Sequence, residues 1–134
     1  MNEEEIKKRL TPEEYKVLRE GGTEAPHSGK YVKPTEKGKF ACKVCGNELF
    51  SAGAQFETKL LGLRGWPSFE DAIPGAVEFK PDNSLGMRRT EVVCAKCGSH
   101  LGHVFDDPST GSGQVETKTG KHYCINSVCL DLKE

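Results

Sequence analysis

Thr90–Phe105, TEVVCAKCGSHLGHVF, decides the fold. Strand-like residues flank a Cys-x-x-Cys-Gly turn, so the segment predicts a hairpin whose tip presents two thiols. Outward from it, KFACKVCGNELF (39–50) repeats the arrangement. YVKP (31–34), AVEFKP (76–81) and HYCINSVCLDL (122–132) are further short runs rich in Val, Phe and Tyr. Gly, Pro, Asn and Asp recur between them, which predicts a mainly β, antiparallel domain with long connections.

At 134 residues the chain is expected to form one domain. Residues 1–22 read as a helical segment packed on a zinc-pinned β core over 29–134. In EEEIKKRL (3–10) acids precede bases, as the helix dipole favours. Thr11-Pro12-Glu13-Glu14 then supplies a cap, a first-turn proline and a capping-box carboxylate, and Gly21-Gly22 should end that helix. STGSGQVETKTGK (109–121) is polar and glycine-rich, and is expected to be an exposed excursion.

The formal net charge of -1 gives no general attraction to nucleic acid or to an anionic membrane. No apolar run approaches the roughly 18 residues of a spanning helix. MNEEEIKKRL is charged where a signal peptide would be apolar, so the expectation is a cytoplasmic protein with reduced thiols. In that compartment six cysteines argue for metal binding or catalysis over a disulfide frame. Cys42/Cys45 and Cys94/Cys97 form two knuckles, each followed by glycine, and 48 residues separate Cys45 from Cys94. Four thiolates suit one tetrahedral structural zinc ion that pins two distant hairpins and leaves no open position for chemistry.

Cys124 and Cys129 remain. HYCINSVCL (122–130), taken as one strand, puts His122, Cys124, Asn126 and Val128 on one face and Cys129 on the other. A thiol between an imidazole and an amide is a poor recipe for a core and a reasonable one for a reactive face. His100 and His103 follow the second knuckle; with zinc satisfied by sulfur they are free to carry protons, or simply to pack beside a turn. Asp106 and Asp107 suit a solvated turn or an imidazole partner. Trp66, the single tryptophan, lies in the Gly/Pro stretch GWPSF (65–69), where it either plugs the fold or walls a pocket.

In this order, GWPSF, two Cys-x-x-Cys knuckles, HLGHVFDD (100–107) and HYCINS (122–127) resemble the methionine-R-sulfoxide reductases of the MsrB type, over roughly residues 11–131. The resemblance implies antiparallel strands in two sheets, a sandwich or barrel-like body with structural zinc at one end. It also implies thiol-dependent reduction of methionine-R-sulfoxide, free or in proteins. Cys124 would attack the sulfoxide sulfur and be left as a sulfenic acid. His103, assisted by His100, would supply the proton, and Asn126 would bond near the sulfur or oxygen. Trp66 with Phe69 would wall the methyl pocket, and Asp107 would orient a histidine.

Two departures affect this picture. Position 122 carries histidine where the family usually has arginine, so charge beside the thiol would depend on pH. Arg64 stands where many members have a resolving cysteine. On an extended strand Cys129 would lie about 16 Å from Cys124 and face away, too far for a disulfide. Cys129 is therefore expected to be a packing residue, with the sulfenic acid reduced by thioredoxin, a related protein or a small thiol. A monomer is expected. The alternative is a non-catalytic zinc-binding interaction module of the same fold, which would not need Cys124 in its HYCINS setting.

Overall fold

Two cysteine-tipped hairpins form the frame. Strands β1 (Lys39–Cys42) and β2 (Glu48–Ser51) flank the first knuckle, and β6 (Arg89–Cys94) and β7 (His100–Asp106) flank the second. The computed structural model describes residues 3–25, 29, 31, 37–56, 65–82, 89–106 and 121–133. The remaining strands are β3 (Gln55–Phe56), β4 (Ser68–Phe69), β5 (Val77–Asp82), β8 (Lys121–Ile125) and β9 (Leu130–Lys133). They build two antiparallel sheets, one of three strands in the order β2-β1-β9 and one of six in the order β3-β4-β8-β7-β6-β5. The mainly β expectation is met.

The expected single strand over 122–130 is divided. β8 stops at Ile125, a 3-10 turn spans Ser127–Cys129, and β9 continues in the other sheet against β1. Asn126 makes the break. Its main-chain N–H and its side-chain amide both donate to the Leu101 carbonyl, each at 3.0 Å. Its carbonyl then closes the turn by accepting from the Cys129 N–H at 3.1 Å. A buried carboxamide that must be satisfied thus outweighs period-two continuation.

GWPSF is partly strand, which turn chemistry alone did not reveal. Ser68 and Phe69 pair with Cys124 and Tyr123 on one side, and with Phe56 and Gln55 on the other. This insertion places Trp66 beside the strand that carries Cys124.

The core lies between the sheets. Phe50 stacks on Phe69 with centroids 4.4 Å apart, and Phe40 and Tyr123 add edge contacts. Leu49, Val92, Leu101, Ile125 and Leu130 are buried around them.

Helices α1 (Glu3–Arg9) and α2 (Pro12–Leu18) close one flank, burying Ile6, Val17 and Leu18. The capping box is formed: Glu14 N–H donates to Thr11 Oγ1 at 3.1 Å, and Thr11 N–H to Glu14 Oε1 at 2.8 Å. Just past α2, Arg19 ion-pairs with Glu3 and donates to both the Cys97 carbonyl and Ser99 Oγ at 3.0 Å. The N-terminal segment is therefore fastened to the second knuckle. Among the described residues no helix is long and apolar enough to cross a membrane.

Candidate active site and metal centre

At the knuckles, each second cysteine is followed by a glycine at positive φ, Gly46 at 79° and Gly98 at 75°. A side chain rarely tolerates that conformation, and it turns the chain so that Gly46 N–H reaches the Cys42 carbonyl and Gly98 N–H the Cys94 carbonyl, both at 2.8 Å. The sulfurs of Cys42, Cys45, Cys94 and Cys97 all lie within 4.8 Å of one another. Two cross-hairpin pairs, Cys42–Cys97 and Cys45–Cys94, are 3.7 and 3.6 Å apart. Zinc–sulfur bonds of about 2.3 Å in a tetrahedron require sulfur separations of about 3.8 Å, so the cluster fits that ion. Hydrogen bonds from Cys42 and Cys97 favour the Cys94 thiolate, while the Cys42 thiol is pushed up by its sulfur neighbours and by burial. A dication would let all four ionise. The cluster can hold a metal ion.

The second site is formed where β4, β8 and β7 run side by side. Cys124 is paired with Ser68 of β4 and with His103 of β7. This close ladder needs a glycine. A Cβ at Gly102 would sit 2.1 Å from the Cys124 carbonyl oxygen. Cys124, His103, Trp66 and Asn126 line one pocket of about 160 Å³, together with Phe105 and Arg89. That volume suits a methylsulfinyl group better than a drug-sized ligand. A larger hollow of about 340 Å³ shares Arg89 and Phe105 with it but is lined by no thiol or histidine.

Burial pushes the Cys124 thiol up to about 12, with the nearby Glu24 carboxylate adding to the effect. The Cys124 side chain is consequently a thiol at neutral pH, and a base beside it would be needed to make it a nucleophile. Desolvation holds His103 below the usual histidine range, against the opposing effect of the hydrogen bond its ring donates to Asp82. That shift favours the neutral imidazole, the form that can accept a proton. His103 Nε2 lies 2.7 Å from Asp82 Oδ2, and Asp82 in turn pairs with Arg89 at 3.3 Å. His100, behind the pocket, bonds Glu91 through Nδ1 at 2.7 Å. Its ring centroid is 5.5 Å from that of His103, and its buried Nε2 has no hydrogen-bond partner among the described residues.

Of the residues expected from sequence, Cys124, His103, Asn126 and Trp66 come together in the pocket, and His100 stands directly behind His103. Phe69 does not reach the pocket; it is fully buried, stacked on Phe50 between the sheets. His122 does not reach it either. It is fully buried, hydrogen-bonded to Ser68 Oγ at 2.9 Å and edge-on to Phe56. Its hydrogen-bond partner Ser68 is the ladder partner of Cys124. Asp107 and Arg64 lie outside the described residues, as does nearly all of 109–121.

Glu24 was not foreseen. It is buried, and three of its groups organise the site. Its N–H donates to Asn126 Oδ1 at 3.0 Å, its carbonyl accepts from the Trp66 indole at 2.9 Å, and its carboxylate accepts from Val128 N–H at 2.9 Å. No local pattern marks it, because every partner is at least 42 residues away. Since its charge disfavours the thiolate, Glu24→Gln should move the pH dependence of Cys124 alkylation by iodoacetamide to lower pH. An unchanged profile would show that the carboxylate exerts no field there.

Cys129 is fully buried, and its thiol donates to the His100 carbonyl at 3.3 Å. The extended-strand argument that separated it from Cys124 no longer applies, given the turn at Ser127–Cys129. Burial and that hydrogen bond keep it in a packing role. Cys129→Ser should therefore turn over repeatedly with an external thiol, with kcat within about threefold of the parent; arrest after one turnover would make Cys129 a redox partner.

Comparison with known proteins identifies the family. Residues 10–134 match the model of the SelR domain. The peptide methionine sulfoxide reductase MsrB of Methanosarcina barkeri is 52% identical over 133 residues, covering 98% of this chain and 86% of that protein. The chain belongs to the SelR, or MsrB, family. The MsrB of Leifsonia xyli is 47% identical over 98% of this chain and 88% of its own length. Mouse methionine-R-sulfoxide reductase B3, mitochondrial, is 45% identical over 98% of this chain, which spans 48% of that longer protein. Outside the family, the Mis18 "Yippee-like" domain shares the fold at 16% identity, with a TM-score of 0.54 over 74% of this chain and 97% of its own.

Proposed function

We propose that the protein reduces methionine-R-sulfoxide, free or in proteins, to methionine, using Cys124 as nucleophile and an external thiol as the final reductant. The observation that carries this reading is the opposition of Cys124 and His103 across β8 and β7, in one pocket with Trp66 and Asn126. Trp66 receives the substrate methyl group. Asn126, held by Glu24 and Leu101, fixes the polar end of the pocket beside the thiol. His103 moves the proton, with His100 supporting its ring. Asp107, by the family motif, orients a histidine in this reading, and His122 acts from its buried position through Ser68. Cys124 ends as a sulfenic acid, which thioredoxin, a related protein or a small thiol reduces.

The ion held by Cys42, Cys45, Cys94 and Cys97 is zinc in this reading. It supplies folding free energy and takes no part in the redox step, since four sulfur ligands close its coordination. The chain works as one cytoplasmic, monomeric unit. A non-catalytic zinc-binding module would leave the Cys124–His103 opposition without a use.

Consumption of a dithiol reductant with each sulfoxide epimer tests the reading. The R epimer should be turned over and the S epimer left untouched; turnover of the S epimer alone, or of neither, would reject it.

A further inference from the structure

Resting on that reading, one arrangement assigns a role to a residue that no sequence motif marks. An imidazole has two nitrogens, and Nε2 of His103 is committed to Asp82 Oδ2 at 2.7 Å. Nδ1 is the nitrogen left for the pocket, which His103 lines beside Cys124. When neutral, a ring that donates from Nε2–H to a carboxylate has an unprotonated Nδ1, the form that accepts a proton. We propose that Asp82 is a positioning residue of the reaction, holding His103 in the tautomer whose Nδ1 takes the Cys124 proton and returns it to the sulfoxide oxygen.

Topology makes this a long-range arrangement. Asp82 is the last residue of β5, the outermost strand, and reaches across β6 to a ring on β7. Glu91, directly opposite His103 in the β6–β7 ladder, pairs instead with His100. The two carboxylates are thus divided between the two histidines. The charged or titratable groups facing His103 are Asp82 from β5, Arg89 and Glu91 from β6, His100 from its own strand and Cys124 from β8. Arg89 holds Asp82 at 3.3 Å and limits how strongly that carboxylate draws the ring proton.

The step balances without a further reactant. The Cys124 S–H proton passes to His103 Nδ1, and the imidazolium is stabilised by the Asp82 carboxylate. The thiolate forms a bond to the sulfoxide sulfur, and His103 returns the proton to the sulfoxide oxygen. As the sulfur–sulfur bond and the substrate sulfur–oxygen bond break, that oxygen is transferred to Cys124. The substrate sulfur gains two electrons, the Cys124 sulfur loses two, and the original thiol proton ends on the sulfenic acid.

The test combines kinetics with nitrogen-15 NMR of the His103 ring in the full-length, metal-loaded protein. Asp82→Asn should lower kcat by about 100-fold with KM changed less than about twofold. In the same variant His103 should titrate at lower pH, because the carboxylate that favours its charged form is gone. Asp82→Ala should behave alike, and Asp82→Glu should recover at least about a third of the lost rate on a logarithmic scale. A kcat for Asp82→Asn within about twofold of the parent overturns the inference. So does a fall in kcat with an unshifted His103 titration, which would mark Asp82 as a purely structural partner of Arg89. The titration does not depend on turnover. Failure of the parent protein to reduce the sulfoxide would therefore count against the proposed function, while the His103 shift still judges this contact.

Discussion

Cys124→Ser should abolish reduction of methionine-R-sulfoxide, with kcat lowered by at least about 10⁴-fold. The size of the effect follows from the chemistry. The oxygen must be transferred to the nucleophile, and a serine hydroxyl cannot be oxidised by two electrons to a sulfenic acid analogue. The fold should survive, since Cys124 is only partly buried and takes no part in the metal cluster. Reductant consumption with the R epimer, read beside thermal unfolding of parent and variant, checks this. Residual turnover in a folded variant would transfer the nucleophilic role to another thiol.

A second large effect is expected at the knuckles. Cys94→Ser, or prolonged chelation of the parent, should remove the ion and unfold the protein or abolish its soluble expression. Structural zinc contributes apparent free energies of about 10–16 kcal/mol in finger peptides, comparable to the whole stability of a small domain. The ion would join β1–β2 of one sheet to β6–β7 of the other through four sulfurs. Its loss would also free the knuckle that Arg19 holds, and with it the N-terminal helices. Metal content by elemental analysis should fall from one zinc per chain to none, together with loss of cooperative melting. A variant that melts like the parent without metal would show that hydrophobic packing suffices.

The parts of this architecture written in local pattern were legible before the structure. The cysteine spacing with its trailing glycines specified both knuckles, and Thr11 to Glu14 specified the start of α2. Short runs rich in Val, Phe and Tyr, punctuated by Gly, Pro, Asn and Asp, located most of the longer strands. The division of 122–130 was not legible, because it is forced by distant partners of Asn126, namely Glu24 and Leu101. The same limit applies at the site. Cys124, His103, Asn126 and Trp66 carry their chemistry in their identity and motif. Asp82 and Glu24 are ordinary loop and strand-end acids until the sheet register and the N-terminal segment deliver them. Phe69 illustrates the reverse error: lying within a pocket motif, it is carried by β4 into the core, where it stacks on Phe50.

One measurement addresses the nucleophile and the stereochemistry together. The protein is mixed with one equivalent of methionine-R-sulfoxide in the absence of reductant, trapped with dimedone, digested and analysed by mass spectrometry. The account predicts one methionine formed per chain and the dimedone adduct of a sulfenic acid on the peptide containing Cys124, with neither produced by the S epimer. An adduct on Cys129 or on a knuckle cysteine, or methionine formed with Cys124 unmodified, would contradict it.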